Sequence, residues 1–171
     1  MDPRRDPQRL SLASYPLSHS VTARFSDLDT NRHLNNVALA SFYEDARAAL
    51  DWRIFDEGAP TGFTGFRLVI AQVSIHYLAE APYPGTFVVG TGVGRVGRSS
   101  FTHSSGLFLD GVCLGLCDTV IVHLVDTTPT VIPPQRRARI EALAFPAPDI
   151  APRIPGQQAE PTASTPASRP R

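Results

Sequence analysis

Between Ser26 and Asn36 the chain reads Ser-Asp-Leu-Asp-Thr-Asn-Arg-His-Leu-Asn-Asn, and six of these eleven residues are Asp, Asn or His. Carboxylates, an imidazole and carboxamides so closely spaced could move a proton or orient a water molecule. The stretch ends where the best helical run of the sequence begins, and exposed N–H groups at a helix start stabilise developing negative charge. A catalytic loop would present a carboxylate beside those groups. Asp, Asn and Ser also favour turns and helix caps, because their short side chains bond nearby backbone. A polar turn capping a helix therefore accounts for the same composition.

Composition removes several other chemistries. All 16 basic residues are Arg and no Lys occurs. Schiff-base chemistry, pyridoxal phosphate attachment, the phosphate-loop lysine and a Ser-x-x-Lys nucleophile are closed to such a chain. The 16 Arg balance 16 Asp plus Glu, so nothing favours broad binding to nucleic acid or to an anionic membrane. Gly92-Val93-Gly94-Arg95-Val96-Gly97 spells the dinucleotide pattern. The next residues, Arg98-Ser99-Ser100-Phe101-Thr102, read as a strand rather than the helix that would meet a pyrophosphate, and glycines there suit a bending sheet. Asp27, Asp29 and Asn31 imitate the start of a calcium loop, yet Arg32 holds the position that needs Gly and Ala38 the one that needs Glu. No G-x-S-x-G elbow occurs, and His19, His33, His76, His103 and His123 show no metal-ligand spacing. No metal and no organic cofactor is expected.

Cys113 and Cys117 lie four apart in a β-branched run. On an extended strand they share a face about 13 Å apart, too far to bridge, and free thiols fit a reducing cytoplasm. Met1 to Leu17 lacks the apolar core of a signal peptide, and no run approaches the ~20 apolar residues of a membrane span. A cytoplasmic, soluble protein is expected.

The elements that must position the polar loop are set by periodicity. Val21, Ala23 and Phe25 alternate with polar residues as a half-buried strand does. Asn35 can cap a helix, with Leu34 and Leu39 placed as a hydrophobic staple, and the helix is expected to run to about Phe55. Its first half, Val37, Ala38, Leu39, Ala40, Phe42 and Tyr43, is apolar nearly all round, which predicts burial. Glu44 and Arg47 are spaced to meet on one face. Asp56 to Gly65 reads as a loop. From Arg67 onward only strands and turns are expected: one with Val69, Ala71, Val73, Ile75 and Tyr77 on one face, then about Thr86 to Val96, about Ser99 to Leu109, and Val112 to Val125. The Asp110-Gly111 pair is a favoured hairpin turn, and the last strand would complete an antiparallel meander. Arg136 to Leu143 reads as a short helix. Residues 1–16 and 146–171 are polar and Pro-punctuated and are expected to be flexible or disordered, leaving a domain at 17–145. One strand, one long helix and four strands make an α+β domain whose sheet curls around the helix.

Asp27-Leu28-Asp29-Thr30-Asn31-Arg32-His33-Leu34-Asn35-Asn36, succeeded by Ser41-Phe42-Tyr43-Glu44-Asp45-Ala46-Arg47, strongly resembles the single-domain hotdog-fold thioesterases, the 4-hydroxybenzoyl-CoA thioesterase-like group. The pattern of that group runs Asp-x-Asp-x-x-Gly-His-Val-Asn-Asn, before a helix ending Glu-Glu-Ala-Arg. Asp29, Asn31 and His33 also resemble the Asp-x-Asn-x-His motif of plant acyl-ACP thioesterases, which carry two hotdog repeats where this chain has room for one. The resemblance implies hydrolysis of an acyl-CoA or acyl carrier protein thioester. It further implies a long helix wrapped by a curved five-stranded antiparallel sheet, in a homodimer or homotetramer with active sites between subunits. On the same resemblance Asp29 is general base or nucleophile, Asn31 and His33 orient the carboxylate or the attacking water, and the Asn36 N–H receives the oxyanion. Glu44 and Arg47 match family positions, though their spacing also suits a structural ion pair.

The turn from Gly97 resembles the family's segment near the thioester cofactor, which implies Arg95, Arg98, Ser99 and Ser100 as substrate-binding residues, with Arg136 and Arg137 as further phosphate ligands. Solvated surface arginines account for the same residues. The chain departs from the pattern at Arg32, where the family has Gly, and at Leu39, where it has Tyr. Two alternatives stand beside the hydrolase. One is a hotdog dehydratase or hydratase with a His and Asp pair, against which Asp29 argues. The other is a non-catalytic acyl-thioester-binding subunit, which binding without turnover would identify.

Overall fold

The computed structural model describes residues 2–55 and 67–146. The expected loop at Asp56 to Gly65, and the expected disordered tail from residue 147 on, lie outside the described residues. In chain order the elements are β1 (Leu17–Thr22), a 3-10 turn at Phe25–Asp27, α1 (Asn36–Phe55), β2 (Arg67–Tyr77), β3 (Thr86–Val96), β4 (Ser100–Leu109), β5 (Val112–Val125), the two-residue β6 (Thr128–Pro129) and α2 (Pro134–Glu141). The expected strand through Phe25 stops at Thr22, because Asp27 caps the Arg24 amide and folds Phe25–Asp27 into the 3-10 turn. Asp110 and Gly111 both take positive φ, 49° and 80°, as a two-residue type I′ hairpin requires.

The strands form one antiparallel sheet in the order β1-β3-β4-β5-β2, with β6 beside β5. The expected meander therefore holds for β3, β4 and β5 only. β1 occupies the free edge of β3, Leu17 opposite Thr91 and Thr22 opposite Thr86, so β2 must cross to the far side and pair with β5. Helix α1 packs on β3, β1 and β4. In one core cluster Leu39, Phe42, Tyr43 and Ala46 meet Phe87, Val89 and Leu107. In the other, Leu50, Ile54 and Phe55 meet Val93, Phe101, Ile121 and, from α2, Ile140. Each large side chain buried in this way contributes about 1.5–3 kcal/mol, and the curved sheet wrapped on one long helix is the hotdog fold. Val37 is the exception on the apolar first half of the helix, 79 % exposed.

Two irregularities change which side chains share a face. A bulge between Ile70 and Gln72 breaks the expected alternation, and Val73 and Ile75 come to lie opposite Thr119 and Cys117 while Ile70 lies opposite Ile121. A second irregularity pairs Cys113 with Phe108 but Cys117 with Ser105, which are on opposite faces of β4 by the two-residue period. The cysteines thus do not share a face; both are free.

Residues 2–16, expected to be flexible, lie against the outer face of the sheet. Tyr15 is 7 % exposed, stacks on Phe145 and meets Phe108 edge-on. Arg9 is buried, and its guanidinium bonds Asp118 at 2.8 Å and the Ser105 carbonyl at 3.3 Å. Glycines make the room: a Cβ at Gly90 would stand 2.7 Å from the Tyr15 ring, and one at Gly92 2.6 Å from Pro16. The glycines of the false dinucleotide pattern thus include one that seats this segment. No helix among the described residues is long and apolar enough to cross a membrane.

Candidate active site

The two aspartates of the polar loop have different jobs. Asp27 is 4 % exposed; it accepts from the Arg24 amide at 2.8 Å and pairs with the Arg24 guanidinium at 2.9 Å. Those bonds hold its carboxyl below the usual range. Its carbonyl accepts from the amide and the side chain of Asn35, at 2.8 and 2.9 Å, so Asp27 fixes the approach to the helix. Asn35 in turn caps α1, its Oδ1 accepting from the Ala38 amide at 2.8 Å, and Leu34 and Leu39 are both buried beside it. Asp27 is structural.

Asp29 closes the next turn. Its Oδ1 accepts from the amides of Asn31 at 2.7 Å and His33 at 3.3 Å, and its own amide donates to the His33 carbonyl at 2.9 Å. The turn requires a left-handed residue, and Arg32 supplies it at φ 65°. Glycine, which the resemblance has at this position, adopts that conformation freely; Arg32 adopts it at a local cost of about 1–2 kcal/mol. Asp29 Oδ2 has no partner among the described residues. Neither has the Asn36 amide, the first of α1.

Asp29 lies where two clefts meet. One, about 340 Å³, is lined by Asp29, Asn31, His33 and Asn36 together with Tyr77 and Glu80. All four expected catalytic residues are thus brought to one place. The other, about 760 Å³, is lined by Phe25, Ser26, Leu28, Asp29, Thr30, Arg32 and Tyr83. Glu80 had no motif to mark it in the sequence. It arrives because the β2–β3 connection lies against the loop, His33 bridging Pro82 and the Leu34 amide donating to the Ala81 carbonyl, and its carboxylate sits 3.1 Å from His33 Nε2. Phe25 and Tyr83, edge to face at 6.2 Å, were equally unmarked.

Arg95, Arg98, Ser99 and Ser100 lie at the opposite end of the sheet, in and beside the β3–β4 turn. β3 spans eleven residues, so about 30 Å separates them from Asp29 within one chain. The turn is built by its backbone: the Gly97 amide donates to the Ser100 carbonyl, and the Arg98 and Ser99 carbonyls accept from the amides of Ile132 and His123. Arg95 and Arg98 are exposed with no partner among the described residues. Arg137, expected as a phosphate ligand, is instead tied to the Gly97 carbonyl and to Glu141, and Arg136 lies over the Phe55 ring at 5.9 Å.

A second polar group is buried between α1 and β4. Arg47 pairs with Glu44 and, at 2.8 Å, with Asp51, the structural ion pair that the helix spacing suggested. Asp51 Oδ1 stands 3.4 Å from His103 Nε2, yet neither that oxygen nor either His103 ring nitrogen has a hydrogen bond among the described residues. Burial pushes the Asp51 carboxyl up to about 7 against the pull of Arg47. Burial, with the Arg47 charge adding, pushes His103 down to about 3. The pair is therefore a neutral acid beside a neutral imidazole at mildly acidic pH. Among the described residues no group of three or more His, Cys, Asp or Glu could hold a metal ion.

The model of the thioesterase-like superfamily matches residues 23–140. A comparison with curated proteins finds no match. Among solved structures, a thioesterase from Thermus thermophilus, complexed with coenzyme A and Zn, superposes with a TM-score of 0.66 at 29 % identity, over 76 % of this chain and 95 % of that one. A predicted thioesterase from Bacillus stearothermophilus gives 0.68 at 24 %, over 75 % and 96 %. A protein from Pseudomonas aeruginosa strain PAO1 gives 0.70 at 24 %, over 81 % and 98 %. The last two likenesses are of fold.

Proposed function

We propose that this chain, which belongs to the thioesterase-like superfamily, hydrolyses an acyl-CoA thioester to the free acid and the thiol. The observation that carries the proposal is the Asp29 carboxylate, its Oδ2 unpartnered among the described residues, at the junction of two clefts and beside the Asn36 amide at the start of α1, which is likewise unpartnered among them. Asp29 Oδ2 takes a proton from a water molecule as the water oxygen bonds the carbonyl carbon. The oxyanion forms at the Asn36 N–H, where the helix start favours negative charge. Collapse of the tetrahedral species breaks the C–S bond, and the proton passes to the leaving thiolate. Asn31 and His33 orient the water, with Glu80 fixing the His33 ring. The coenzyme A in the Thermus relative supports CoA as the thiol; an acyl carrier protein presents the same pantetheine arm.

The CoA phosphates require a second subunit in this scheme. The Arg67 end of β2 lies at the same end of the sheet as the β3–β4 turn, and the Tyr77 end lies beside Asp29. If two β2 edges pair antiparallel, the β3–β4 turn of one subunit comes to the Asp29 end of the other, about four strand spacings away, or 15–20 Å. That span suits an extended pantetheine arm, and it puts Arg95, Arg98, Ser99 and Ser100 at the phosphates.

Asp29→Asn tests the chemistry, because it keeps the Oδ1 acceptor that holds the turn while removing the base. Its kcat on any acyl-CoA the parent hydrolyses should fall by about 10²–10⁴. Near-normal kcat with an unchanged circular dichroism spectrum would refute the mechanism, and acyl-CoA binding by a parent that turns nothing over would identify a binding subunit instead.

A further inference from the structure

A thioester has two arms leaving its carbonyl carbon, and two clefts meet at Asp29. The cleft on the β2 side sets Asn31, His33, Asn36 and Glu80 among Leu34, Leu39, Tyr77 and Leu78, a mixed lining suited to the amides and methylenes of a pantetheine arm. The other is walled by Phe25, Leu28 and Tyr83, with Phe25 77 % exposed, a surface suited to acyl carbons. One cation stands in that apolar cleft, Arg32. Its guanidinium has no hydrogen bond or ion pair among the described residues, and its backbone sits at φ 65°, where a residue with a Cβ is disfavoured. An observed strained position beside a reacting group is a ground for assigning function.

Resting on the thioesterase function proposed above, the geometry points to Arg32 as the specificity determinant of the acyl cleft, selecting acyl groups that are largely apolar and end in a carboxylate, the monothioesters of dicarboxylic acids. Arg32 and Asp29 close one turn, the Arg32 amide donating to the Asp29 carbonyl at 3.2 Å, so their Cα atoms lie within about 7 Å. An acyl chain of roughly four to six carbons, extended at about 1.2 Å per bond, reaches about 4–6 Å beyond its carbonyl, within the sweep of the Arg32 side chain from the same turn. The phosphates of CoA lie on the other side of the sulfur, beyond the pantetheine arm. A planar guanidinium grips a carboxylate through two parallel bonds, which a methyl-ended acyl group cannot accept.

The test compares kcat/KM of the full chain on adipoyl-CoA against hexanoyl-CoA, and on succinyl-CoA against butanoyl-CoA, for wild type, Arg32→Gly and Arg32→Gln. Glycine is chosen because it tolerates the left-handed turn. Wild type should favour the carboxylated member of each pair about 10- to 100-fold, the worth of a charge-assisted bond, and both variants should bring the ratio close to one. A wild-type ratio at or below one, or a ratio that both variants retain, overturns the proposal. The same acyl groups on N-acetylcysteamine, which lacks phosphate, separate the two sources of anion. Retained selectivity there supports the acyl carboxylate, whereas an Arg32 effect seen with every CoA thioester and with no N-acetylcysteamine thioester means a CoA phosphate and overturns it. Calorimetric titration with non-hydrolysable thioether analogues of adipoyl-CoA and hexanoyl-CoA reads the same ratio in Kd without turnover. A protein that hydrolyses nothing yet keeps an Arg32-dependent Kd ratio loses its thioesterase function and keeps this selectivity.

Discussion

At the scale of single residues, the buried Asp51 and His103 make a pH signature that can be worked out from their directions. The folded carboxyl at about 7 lies above its ordinary 3.8, so the stability Asp51 contributes is present below pH 4 and lost as pH rises through 7. The folded imidazole at about 3 lies below its ordinary 6.5, so its contribution is present above pH 6.5 and lost as pH falls through 3. Between about pH 4 and 6.5 the unfolded chain holds one proton on His103 and the folded chain one on Asp51, and the two slopes cancel. Asp51→Asn removes one of them. Stability by urea titration should then rise with pH across that window by up to about 1.4 kcal/mol per unit, where the parent is nearly flat; a variant as flat as the parent would show that the imidazole is not held neutral. Neither residue was marked in the sequence, because a helix and a strand fifty residues apart bring them together, whereas Asp29, Asn31, His33 and Asn36 were legible from one contiguous stretch.

At the scale of elements, the N-terminal segment is where composition misled. The polar, Pro-punctuated residues 1–16 suggested a flexible segment, but docking needs only a few anchors if the receiving surface is hollowed for them. Tyr15 enters the hollow over Gly90 and Gly106, and Arg9 finds a carboxylate in Asp118 that is itself held by Ser104 at 2.7 Å. A glycine in a strand reads equally as a bend or as room for another segment, and one sequence cannot choose between them. Tyr15→Ala should destabilise by about 2–4 kcal/mol, as large-to-small changes at packed sites do, and deletion of residues 2–16 by at least as much. An unchanged thermal midpoint in both would mean the segment does not dock in solution. The β3–β4–β5 strands, by contrast, were legible nearly to the residue, because Asp110-Gly111 and Gly97 fix both turns and the strands alternate between them. The crossover of β2 was not, since it depends on β1 already occupying the edge of β3.

At the scale of the whole molecule, β2 is an eleven-residue edge with nothing beyond it among the described residues. Ile70, Val73 and Tyr77 are 45 %, 52 % and 47 % exposed, because α1 packs on β1, β3 and β4 and leaves the β2 side of the inner face uncovered. A long apolar edge strand is a template for pairing, and the bulge at Ala71 twists it without capping it. The same edge carries Tyr77 into the Asp29 cleft, so the exposed edge and the candidate site share one strand. Stable partners bury roughly 1,600 Å² in total, more than one strand ladder supplies, and a dimer would have to draw the rest from the uncovered inner face. Val73→Glu places a charge in the middle of that face while disturbing little within the chain, since the side chain is half exposed. Light scattering at micromolar concentration should give a dimer or larger for the parent and a monomer for the variant. Activity should fall with the assembly although Asp29, Asn31, His33 and Asn36 are untouched, because a lone chain leaves Arg98 about 30 Å from the carboxylate. A parent that is monomeric and fully active would place the whole site within one subunit and leave the arginines of the β3–β4 turn without a role in it.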